Sequence, residues 1–360
     1  MCMPADTAFL LVSFGGPEGR DDVMPFLRNV TAGRGVPDHR LAQVAGHYYE
    51  FGGISPINAQ CRELLAAVGQ DFARNGIDLP LYWGNRNWTP YLADTMRAMA
   101  ADGIKRAVAF ATSAYSSYSS CRQYLDNIDQ ARALAGPDAP AVIKIPPYYR
   151  HPGFIGSFTD AAARALASLP ADLADRADLV FTAHSIPASM AASSGPAGAG
   201  HTYPAQLAEV AGLVGAGLGR TTWRLAYQSR SGPPSVPWLG PDIGDCIAGL
   251  ARAGSVAVVL IPIGFVSDHM EVMFDLDVEA ARTARELGLP MARADTPGTD
   301  PKFVAMISAL ACDFAAGELG RGARALGPGE ASLCRELCCG AGEDRSAAFV
   351  SASAPGGAGA

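Results

Sequence analysis

A run of acidic residues at helical spacing lies in the second half of the chain. Its members are separated by three, four and four residues, which would place their carboxylates on one face of an α-helix: Asp268, Glu271, Asp275 and Glu279. Like charges at this spacing repel one another, and a bound cation or a proton in transit would relieve the repulsion. A solvated acidic face would show the same spacing. However, the apolar segment 255–266 just before the acids predicts a strand, and ligands bind at strand ends in open α/β sheets.

A histidine at the end of another apolar segment could work with these acids. His184 closes the stretch Leu-Val-Phe-Thr-Ala-His at residues 179–184. A histidine in this place could also be a structural residue. Because parallel strands end at the same edge of a sheet, we expect His184 and Glu271 to meet in one cleft. An imidazole beside a carboxylate can accept protons near neutral pH or bind a divalent metal, while Asp275 and Glu279 relay protons outward.

Two kinds of enzyme would use such a site. The chemistry suits insertion of a metal into a ring that must lose its N–H protons, and it equally suits a metal-dependent hydrolase. Against the hydrolase, the sequence contains neither an H-E-x-x-H zinc helix nor a G-x-S-x-G turn. Nucleotide binding is not favoured, because the loop after the first strand, residues 14–19, reads F-G-G-P-E-G rather than G-x-G-x-x-G.

Strand-like and helical segments alternate along the chain. Amphipathic stretches such as 92–101 and 158–169 lie between the strands, which are predicted at 9–13, 80–83, 106–112, 141–145, 178–182, 223–227 and 255–263. This alternation predicts an α/β fold with parallel sheets covered by helices on both faces.

The two halves of the chain also resemble each other. Three pairs of segments match in the same order: 10–17 with 179–187, 81–86 with 226–230, and 108–113 with 258–263. An ordered repeat of this kind predicts two similar Rossmann-like lobes with a cleft between them. Phe14 and His184 fall at equivalent strand ends, so we expect them to face each other across the cleft.

The repeat also suggests where the lobes begin and end. We expect a first lobe at residues 1–160, with an insertion at 18–60 that the second lobe lacks, and a second lobe at 161–317 carrying the histidine and the acids. Beyond them we expect a cysteine-rich extension at 318–342 and a disordered tail at 343–360.

Composition narrows the class of protein. The chain has 360 residues, a hydrophobic fraction of 49% and a formal net charge of -7. This size and composition supply two cores, and the acidic balance argues against nucleic acid as a partner. No basic leader precedes the first strand, and no apolar run is long enough to cross a bilayer. We therefore expect a cytoplasmic protein without an integral membrane segment, acting on a small molecule as a monomer.

Three of the eight cysteines are clustered. Cys334, Cys338 and Cys339 lie within six residues of one another, and a disulfide framework is not expected in a cytoplasmic chain. Thiolates select zinc or an iron-sulfur cluster, and spacing alone does not separate these two. The set also needs a fourth ligand from elsewhere in the chain.

Five motifs, taken in order, resemble the ferrochelatase family. They are LVSFGGP at 11–17, HYYEFGGISP at 47–56, SAYSSYSSC at 113–121, TAHSIP at 182–187 and PIGFVSDHME at 262–271. The resemblance extends over roughly residues 7–340. It implies an enzyme of haem biosynthesis that inserts Fe(II), as a substrate, into a porphyrin held between two Rossmann-like lobes.

The resemblance also implies roles for individual residues. His184 and Glu271 would handle the metal and the protons on one side of the macrocycle. Asp275 and Glu279 would form a polar path for metal delivery or proton release. Phe14, Ser55 and Tyr124 would contact the porphyrin, with hydrogen bonds from the serine and the tyrosine to its propionates.

Some members of the family hold a 2Fe-2S cluster with one internal cysteine and three near the C-terminus. The resemblance places Cys121 at the internal position, so that Cys121, Cys334, Cys338 and Cys339 would form a four-thiolate set. The role of such a cluster could be either structural support or redox sensing.

The substrate expected from the resemblance is coproporphyrin III. Residues 18–60 carry many charges and no contiguous apolar run, unlike the apolar lip of enzymes that use protoporphyrin IX. One departure is Phe14, because many relatives that use coproporphyrin III carry a tyrosine there. The alternatives are a protoporphyrin IX ferrochelatase, a chelatase that inserts Co(II) or Ni(II) into another tetrapyrrole, and a carrier or sensor that binds haem without metallating it. Transient contacts with other enzymes of haem synthesis are also expected.

Overall fold

Two separate parallel sheets form the framework of the molecule. The structure, a computed structural model, describes residues 6–196, 199–231 and 235–315 together with Cys339. The strands in this part of the chain are β1 (Thr7–Ser13), β2 (Leu81–Asn85), β3 (Arg106–Ala111), β4 (Ala141–Lys144), β5 (Asp178–His184), β6 (Arg224–Gln228), β7 (Val258–Ile261) and β8 (Met291–Arg293). The sheet orders are β2-β1-β3-β4 and β6-β5-β7-β8, and all the pairings are parallel.

The seven predicted strands are confirmed as β1 to β7. Strand β7 is shorter than the predicted 255–263 at both ends, because it begins only at Val258 and the chain turns after Ile261. Strand β8 is not predicted from the sequence. It has only three residues, all half-buried, so it shows no alternation that could be recognised.

The internal repeat is also confirmed, because both sheets have the same strand order. The first strand of each lobe pairs with the next two strands along the chain: β1 pairs with β2 and β3, and β5 pairs with β6 and β7. The ends of the first two strands correspond as well: Ser13 lies opposite Asn85, and His184 lies opposite Gln228. The counterpart of His184 is therefore Ser13, and the predicted equivalence of Phe14 with His184 is wrong by one residue, because β1 ends before Phe14. The α/β fold of two similar Rossmann-like lobes therefore matches the prediction.

Helices cover the sheets on both faces. In chain order the described helices are α1 (Arg20–Val30), α2 (Asp38–Glu50), α3 (Ile57–Asn75), α4 (Leu92–Ala101), the π-helix π1 (Tyr118–Arg122), α5 (Gln123–Ala135), α6 (Pro152–Ala167), α7 (Ala171–Ala174), α8 (Ala188–Ala192), α9 (Thr202–Gly217), α10 (Ile243–Arg252), α11 (Met270–Val272), the π-helix π2 (Met273–Ala280), α12 (Ala281–Glu286) and α13 (Pro301–Ala315). Helix α6 begins earlier than the predicted stretch 158–169. His151 caps it by accepting the Gly153 N–H at Nδ1, and Pro152 occupies the first position, where a missing N–H costs nothing.

The two lobes share an apolar core. Helix α6 runs across residue 160, where the lobe boundary is predicted, and α13 packs against both α6 and α3. Phe303 of α13 lies 6.0 Å from the ring centroid of Phe110 in the first sheet and 6.2 Å from that of Phe154 in α6. Burial of side chains of this size stabilises the fold by roughly 2 kcal/mol each. Helix α13 thus packs on α3 of the first lobe and on α6 at the lobe boundary.

Two further predictions concern residues at the end of the chain. The extension predicted at 318–342 lies outside the described residues except for Cys339, and the tail predicted at 343–360 lies wholly outside them. Of the described helices, none combines the length and apolar character that a bilayer crossing requires.

Candidate active site

The turn after β7 lies directly against the end of β5 and brings Glu271 to His184. The Gly264 N–H donates to the Thr182 carbonyl at 3.0 Å. A Cβ on Gly264 would lie 2.7 Å from the Cα of Ala183, so only glycine allows this approach. Beyond the turn, the Oε2 atom of Glu271 lies 3.4 Å from Nε2 of His184. The predicted pairing of these two side chains is therefore seen in the structure.

The imidazole of His184 is held in one orientation. Its Nδ1–H donates to the Ser185 carbonyl at 2.5 Å, which leaves Nε2 to face Glu271. The Tyr203 hydroxyl donates to the His184 carbonyl at 3.0 Å, and the Ser185 N–H donates to the Gln228 carbonyl at 2.8 Å. The backbone around the histidine is thus fixed, while its side chain keeps 35% of its surface exposed.

Each member of the pair changes the pKa of the other. Burial disfavours the charged imidazole, but the Glu271 carboxylate outweighs it and raises the pKa of His184. Burial likewise disfavours the Glu271 carboxylate, but His184 and His269 lower its pKa to about 2. The pair therefore holds a carboxylate ready to receive a cation, and an imidazole that can take up a proton.

The acid column differs from the prediction at its first member. The segment after His269 starts as α11 and continues as the π-helix π2, in which hydrogen bonds run from i to i+5. Asp268 precedes the first helical residue and forms an ion pair with Arg293 at 3.2 Å. The prediction that Asp268 shares one helical face with the other three acids is therefore wrong. Glu271, Asp275 and Glu279 remain on the helical segment.

Asp275 is the most perturbed of these acids. Its Oδ2 accepts hydrogen bonds from the Ser229 hydroxyl and, at 3.4 Å, from Nε2 of Gln228. Burial, together with the charges of Glu271 and Glu279, raises the pKa of Asp275 to about 7. A carboxyl group with this pKa can gain and lose a proton at physiological pH. Ser229 is not predicted from the sequence; it has a left-handed backbone (φ 60°), and its hydroxyl donates to Asp275.

Ser55 is buried beside the strand end that carries Phe14. The Ser55 N–H donates to the Pro17 carbonyl at 2.8 Å. A Cβ on Gly16 would lie 2.7 Å from that of Ser55, which accounts for the glycine at this position. Phe14 is half-buried and packs edge-on against Phe26 of α1, with 6.3 Å between the ring centroids.

Tyr124 and Phe14 are connected through Arg86, which the sequence analysis did not select. The Arg86 guanidinium lies 4.5 Å from the ring centroid of Tyr124 and 5.6 Å from that of Phe14. Its Nε donates to Oδ1 of Asn127 at 2.6 Å. Burial lowers the pKa of Arg86, and the nearby charge of Arg34 adds to the effect. The internal repeat is the one feature of the sequence that points to Arg86, because it closes the matched segment 81–86.

The insertion at 18–60 contacts the helical segment of the acids. Met270, the neighbour of Glu271, is buried in a cluster with Phe26 and Tyr48. On the next turn, Phe274 stacks on His47 of α2 with 3.7 Å between ring centroids and 7° between the planes. Both lobes therefore position the acidic residues.

Two of the four predicted cluster cysteines lie within the described part of the chain. The Gly195 N–H donates to Sγ of Cys339 at 3.3 Å, and the Cys339 N–H donates to the Gly195 carbonyl at 2.8 Å. Cys121 is buried in π1. Five residues before Cys121, the N–H and the hydroxyl of Ser116 both bond to the side chain of Gln206 in α9. Cys334 and Cys338 lie outside the described residues.

The donor set fits a thiolate-bound group only with those two further cysteines. Within residues 6–196, 199–231 and 235–315 and Cys339, no three of His, Cys, Asp and Glu side chains gather to form a metal site. Amide hydrogen bonds to sulfur tune cluster-bound thiolates, and Cys339 receives one from Gly195. The described residues alone do not complete the predicted four-thiolate set.

The duplicated parallel sheets and the strand-end His–Glu pair define a two-lobed α/β protein of the chelatase fold. A solved structure described as SirB from Bacillus subtilis with Fe3+ is similar, with a TM-score of 0.55 at 11% sequence identity. The match covers 88% of this chain and 98% of that chain.

Sequence comparison identifies the family. The family model described as Ferrochelatase matches residues 6–314, and the chain belongs to the ferrochelatase family. A ferrochelatase of Rhodopirellula baltica is 52% identical over 309 residues, which cover 86% of both chains. A coproporphyrin III ferrochelatase of Streptomyces coelicolor is 51% identical over 357 residues, which cover 95% of both chains. The family assignment suggested by the five motifs is confirmed.

Proposed function

We propose that this protein inserts Fe(II) into coproporphyrin III to give coprohaem III. The observation that carries the proposal is the His184–Glu271 pair, in which Nε2 and Oε2 lie 3.4 Å apart at the end of β5 and remain partly exposed. The extended similarity to the Streptomyces coelicolor coproporphyrin III ferrochelatase supports the choice of substrate.

The pair supplies what metal insertion needs. A free porphyrin must release two N–H protons for each Fe(II) that it takes up. His184 accepts a ring proton at Nε2, because its Nδ1 is already engaged with Ser185. Glu271, with a pKa of about 2, stays ionised, so it attracts Fe(II) and stabilises the protonated imidazole. His184 passes each of the two protons on in turn, to Asp275 and then to Glu279, whose side chain is half exposed, so that Nε2 is free again for the second ring proton.

The insertion suits an anionic substrate. Its outer surface carries ion-paired charges, such as Arg28 with Asp38 at 2.9 Å, rather than a continuous apolar lip. Outside the insertion, the Arg86 guanidinium lies beside the rings of Tyr124 and Phe14, and Arg34 of the insertion is near enough for its charge to lower the pKa of Arg86. The four propionates of coproporphyrin III can form more ion pairs with such positive charge than the two propionates of protoporphyrin IX. In this proposal Ser55 and Tyr124 bind propionates, and Phe14 lies against the macrocycle without ligating the metal.

The test is anaerobic Fe(II) insertion into coproporphyrin III and protoporphyrin IX in parallel, followed by loss of the free-porphyrin spectrum. Glu271→Gln is the diagnostic variant, and Glu286→Gln, an exposed acid on the neighbouring helix α12, is its matched control. We expect turnover of coproporphyrin III that collapses in Glu271→Gln and persists in Glu286→Gln.

Each other outcome identifies an alternative. Preference for protoporphyrin IX would overturn the substrate assignment. Turnover with Co(II) or Ni(II) but not Fe(II) would indicate another chelatase. Tight porphyrin binding without turnover, unchanged in Glu271→Gln, would indicate a carrier or sensor.

We propose further that Cys121, Cys334, Cys338 and Cys339 hold a 2Fe-2S cluster. The amide contact at Cys339 and the burial of Cys121 support this assignment. When bound, the cluster would supply either a cross-link between the lobes and the C-terminal segment or one-electron redox chemistry. Visible absorption and acid-labile sulfide in protein purified without oxygen would test for it, and zinc in their place would refute it. We also propose that the protein acts as a cytoplasmic monomer that meets other haem-pathway enzymes transiently, which sedimentation and cell fractionation can check.

A further inference from the structure

A half-buried arginine binds two carboxylates of the segment that carries Glu271, one before Glu271 and one after it. Arg293 closes β8, and its guanidinium contacts both oxygens of Asp268 at 3.2 Å. The same group contacts Asp277 through Nε at 2.6 Å and Nη2 at 3.1 Å. Only 17% of the Arg293 side chain is exposed, and 18% of that of Asp268. The planar fork of arginine makes these paired contacts, which a lysine cannot reproduce.

The position of the two carboxylates gives this contact its significance. Asp268 lies three residues before Glu271, and Asp277 lies six residues after it, within π2. Arg293 itself is fixed to the sheet, since it pairs with Leu260 of β7, and the next residue, Ala294, donates its N–H to the Leu260 carbonyl at 2.8 Å. The start of the segment and its second turn are therefore both tied to the sheet that carries His184.

A contact from the first lobe holds the same turn from the other side. The Asp268 N–H donates to Oε1 of Gln60 in α3 at 2.8 Å. The side chain of Asp268 is thus bound by Arg293 of the second lobe, and its backbone N–H is bound by Gln60 of the first. A π-helix is a rare conformation that persists where its surroundings hold it, and π-helical turns occur frequently at functional sites.

We propose that Arg293 is a positioning residue for metal insertion: by holding Asp268 and Asp277 it keeps the Glu271 carboxylate within reach of His184 Nε2. The proposal rests on the proposed function, since it concerns the rate of that reaction. Arg293 does not touch the reacting atoms and acts through Glu271. A displacement of about 1 Å of a catalytic group can lower the rate on the order of 100-fold. Loss of Arg293 should therefore lower kcat while leaving the binding of porphyrin unchanged.

The experiment compares wild type with Arg293→Met and Arg293→Lys in anaerobic insertion assays well below the melting temperature. We expect kcat to fall on the order of 100-fold in Arg293→Met and less in Arg293→Lys. The KM for coproporphyrin III and its Kd from fluorescence quenching should remain at the wild-type values. Arg164→Met is the matched control, because it removes an exposed pair with Asp295, two residues from Arg293, at 3.5 Å. Its kcat should be unchanged.

A second control distinguishes a positioning role of Arg293 from a purely structural role in stability. Ile307→Val in the buried core of α13 should lower the melting temperature without changing kcat, because it lies away from the site. If Arg293→Met does not fold, Asp277→Asn carries the test. It removes the negative charge and one of the two accepting oxygens that Arg293 contacts at this position, and it leaves Asp268 paired, so a smaller loss of kcat is then expected.

Two results would overturn the proposal. The first is a wild-type kcat in folded Arg293→Met or, where that variant does not fold, in Asp277→Asn. The second is a loss of porphyrin affinity equal to the loss of kcat. A wild-type protein that binds porphyrin but does not metallate it would instead overturn the proposed function.

Discussion

Substitution of Asp275 by asparagine should change stability and activity in opposite directions. Burial, together with the charges of Glu271 and Glu279, raises the pKa of Asp275 from 3.8 to about 7, although Ser229 donates a hydrogen bond to it. The folded protein therefore holds a proton at Asp275 more tightly than the unfolded chain does. Raising the pH from about 4 to about 7 consequently favours the unfolded state, because the buried carboxyl group must then become charged.

The size of this effect follows from the pKa difference. A difference between 3.8 and about 7 corresponds to about 4 kcal/mol when no screening is included. The side chain is only partly buried, so solvent screening reduces this to about 2 kcal/mol. For a chain of this size, about 2 kcal/mol corresponds to a change of about 3 °C in the melting temperature. Asparagine keeps an oxygen that can accept from Ser229 and Gln228 but cannot become charged.

Urea unfolding and thermal melting of wild type and Asp275→Asn would measure the effect. We expect the variant to be more stable by about 2 kcal/mol at about pH 8, and we expect the difference to shrink as the pH falls toward about 4. Metal insertion should be slower, since asparagine cannot carry a proton toward Glu279. Glu286→Gln, an exposed substitution on α12, should show no such dependence. A stability difference that does not vary with pH, or a wild type more stable at about pH 8, would refute the reasoning.

Three further predictions concern the histidine, its backbone and the cysteines. His184→Ala should lower kcat by roughly 100-fold to 10,000-fold, because it removes the proton acceptor, with porphyrin affinity retained; a parallel loss of affinity would count against that role. Tyr203→Phe removes the donor to the His184 carbonyl and should lower the free energy of unfolding by about 1 kcal/mol in urea, whereas no change would show that water replaces the hydroxyl. Cys339→Ser should abolish the cluster absorption, whereas Cys312→Ser in α13 should keep it, and equal spectra would exclude Cys339 as a ligand.

The duplicated framework produces a site with different halves. The first strands β1 and β5 occupy the same place in their sheets, yet the first leads into Phe14 and the second ends in His184. One lobe therefore contributes an apolar and aromatic surface beside Arg86, and the other contributes the ionisable pair with Glu271. A macrocycle can pack its apolar face against the first surface and present its reactive centre to the ionisable pair.

Much of the framework could be predicted because its determinants are local. Seven strands, the repeat and the pairing of His184 with Glu271 follow from apolar runs and from the rule that parallel strands end at one edge. Strand β8 could not be predicted, because three half-buried residues carry too little pattern. The prediction that Asp268 lies on the helical face of the other acids was wrong for a different reason. A spacing of three and four residues suggests one face of a helix whether or not the helix has begun, and the helix begins only at Met270.

The sequence by itself determined the strands, their repetition in two halves and the family to which the chain belongs, because each depends on the order of residues along a short stretch. Only the tertiary structure decided which distant groups meet: Arg293 with Asp268 and Asp277, His47 with Phe274, and Gly195 with Cys339. Such partners are set by how distant segments pack on one another, within a lobe for Arg293 and between lobes for His47. Periodicity within a segment reports burial of a face but not the residue that covers it.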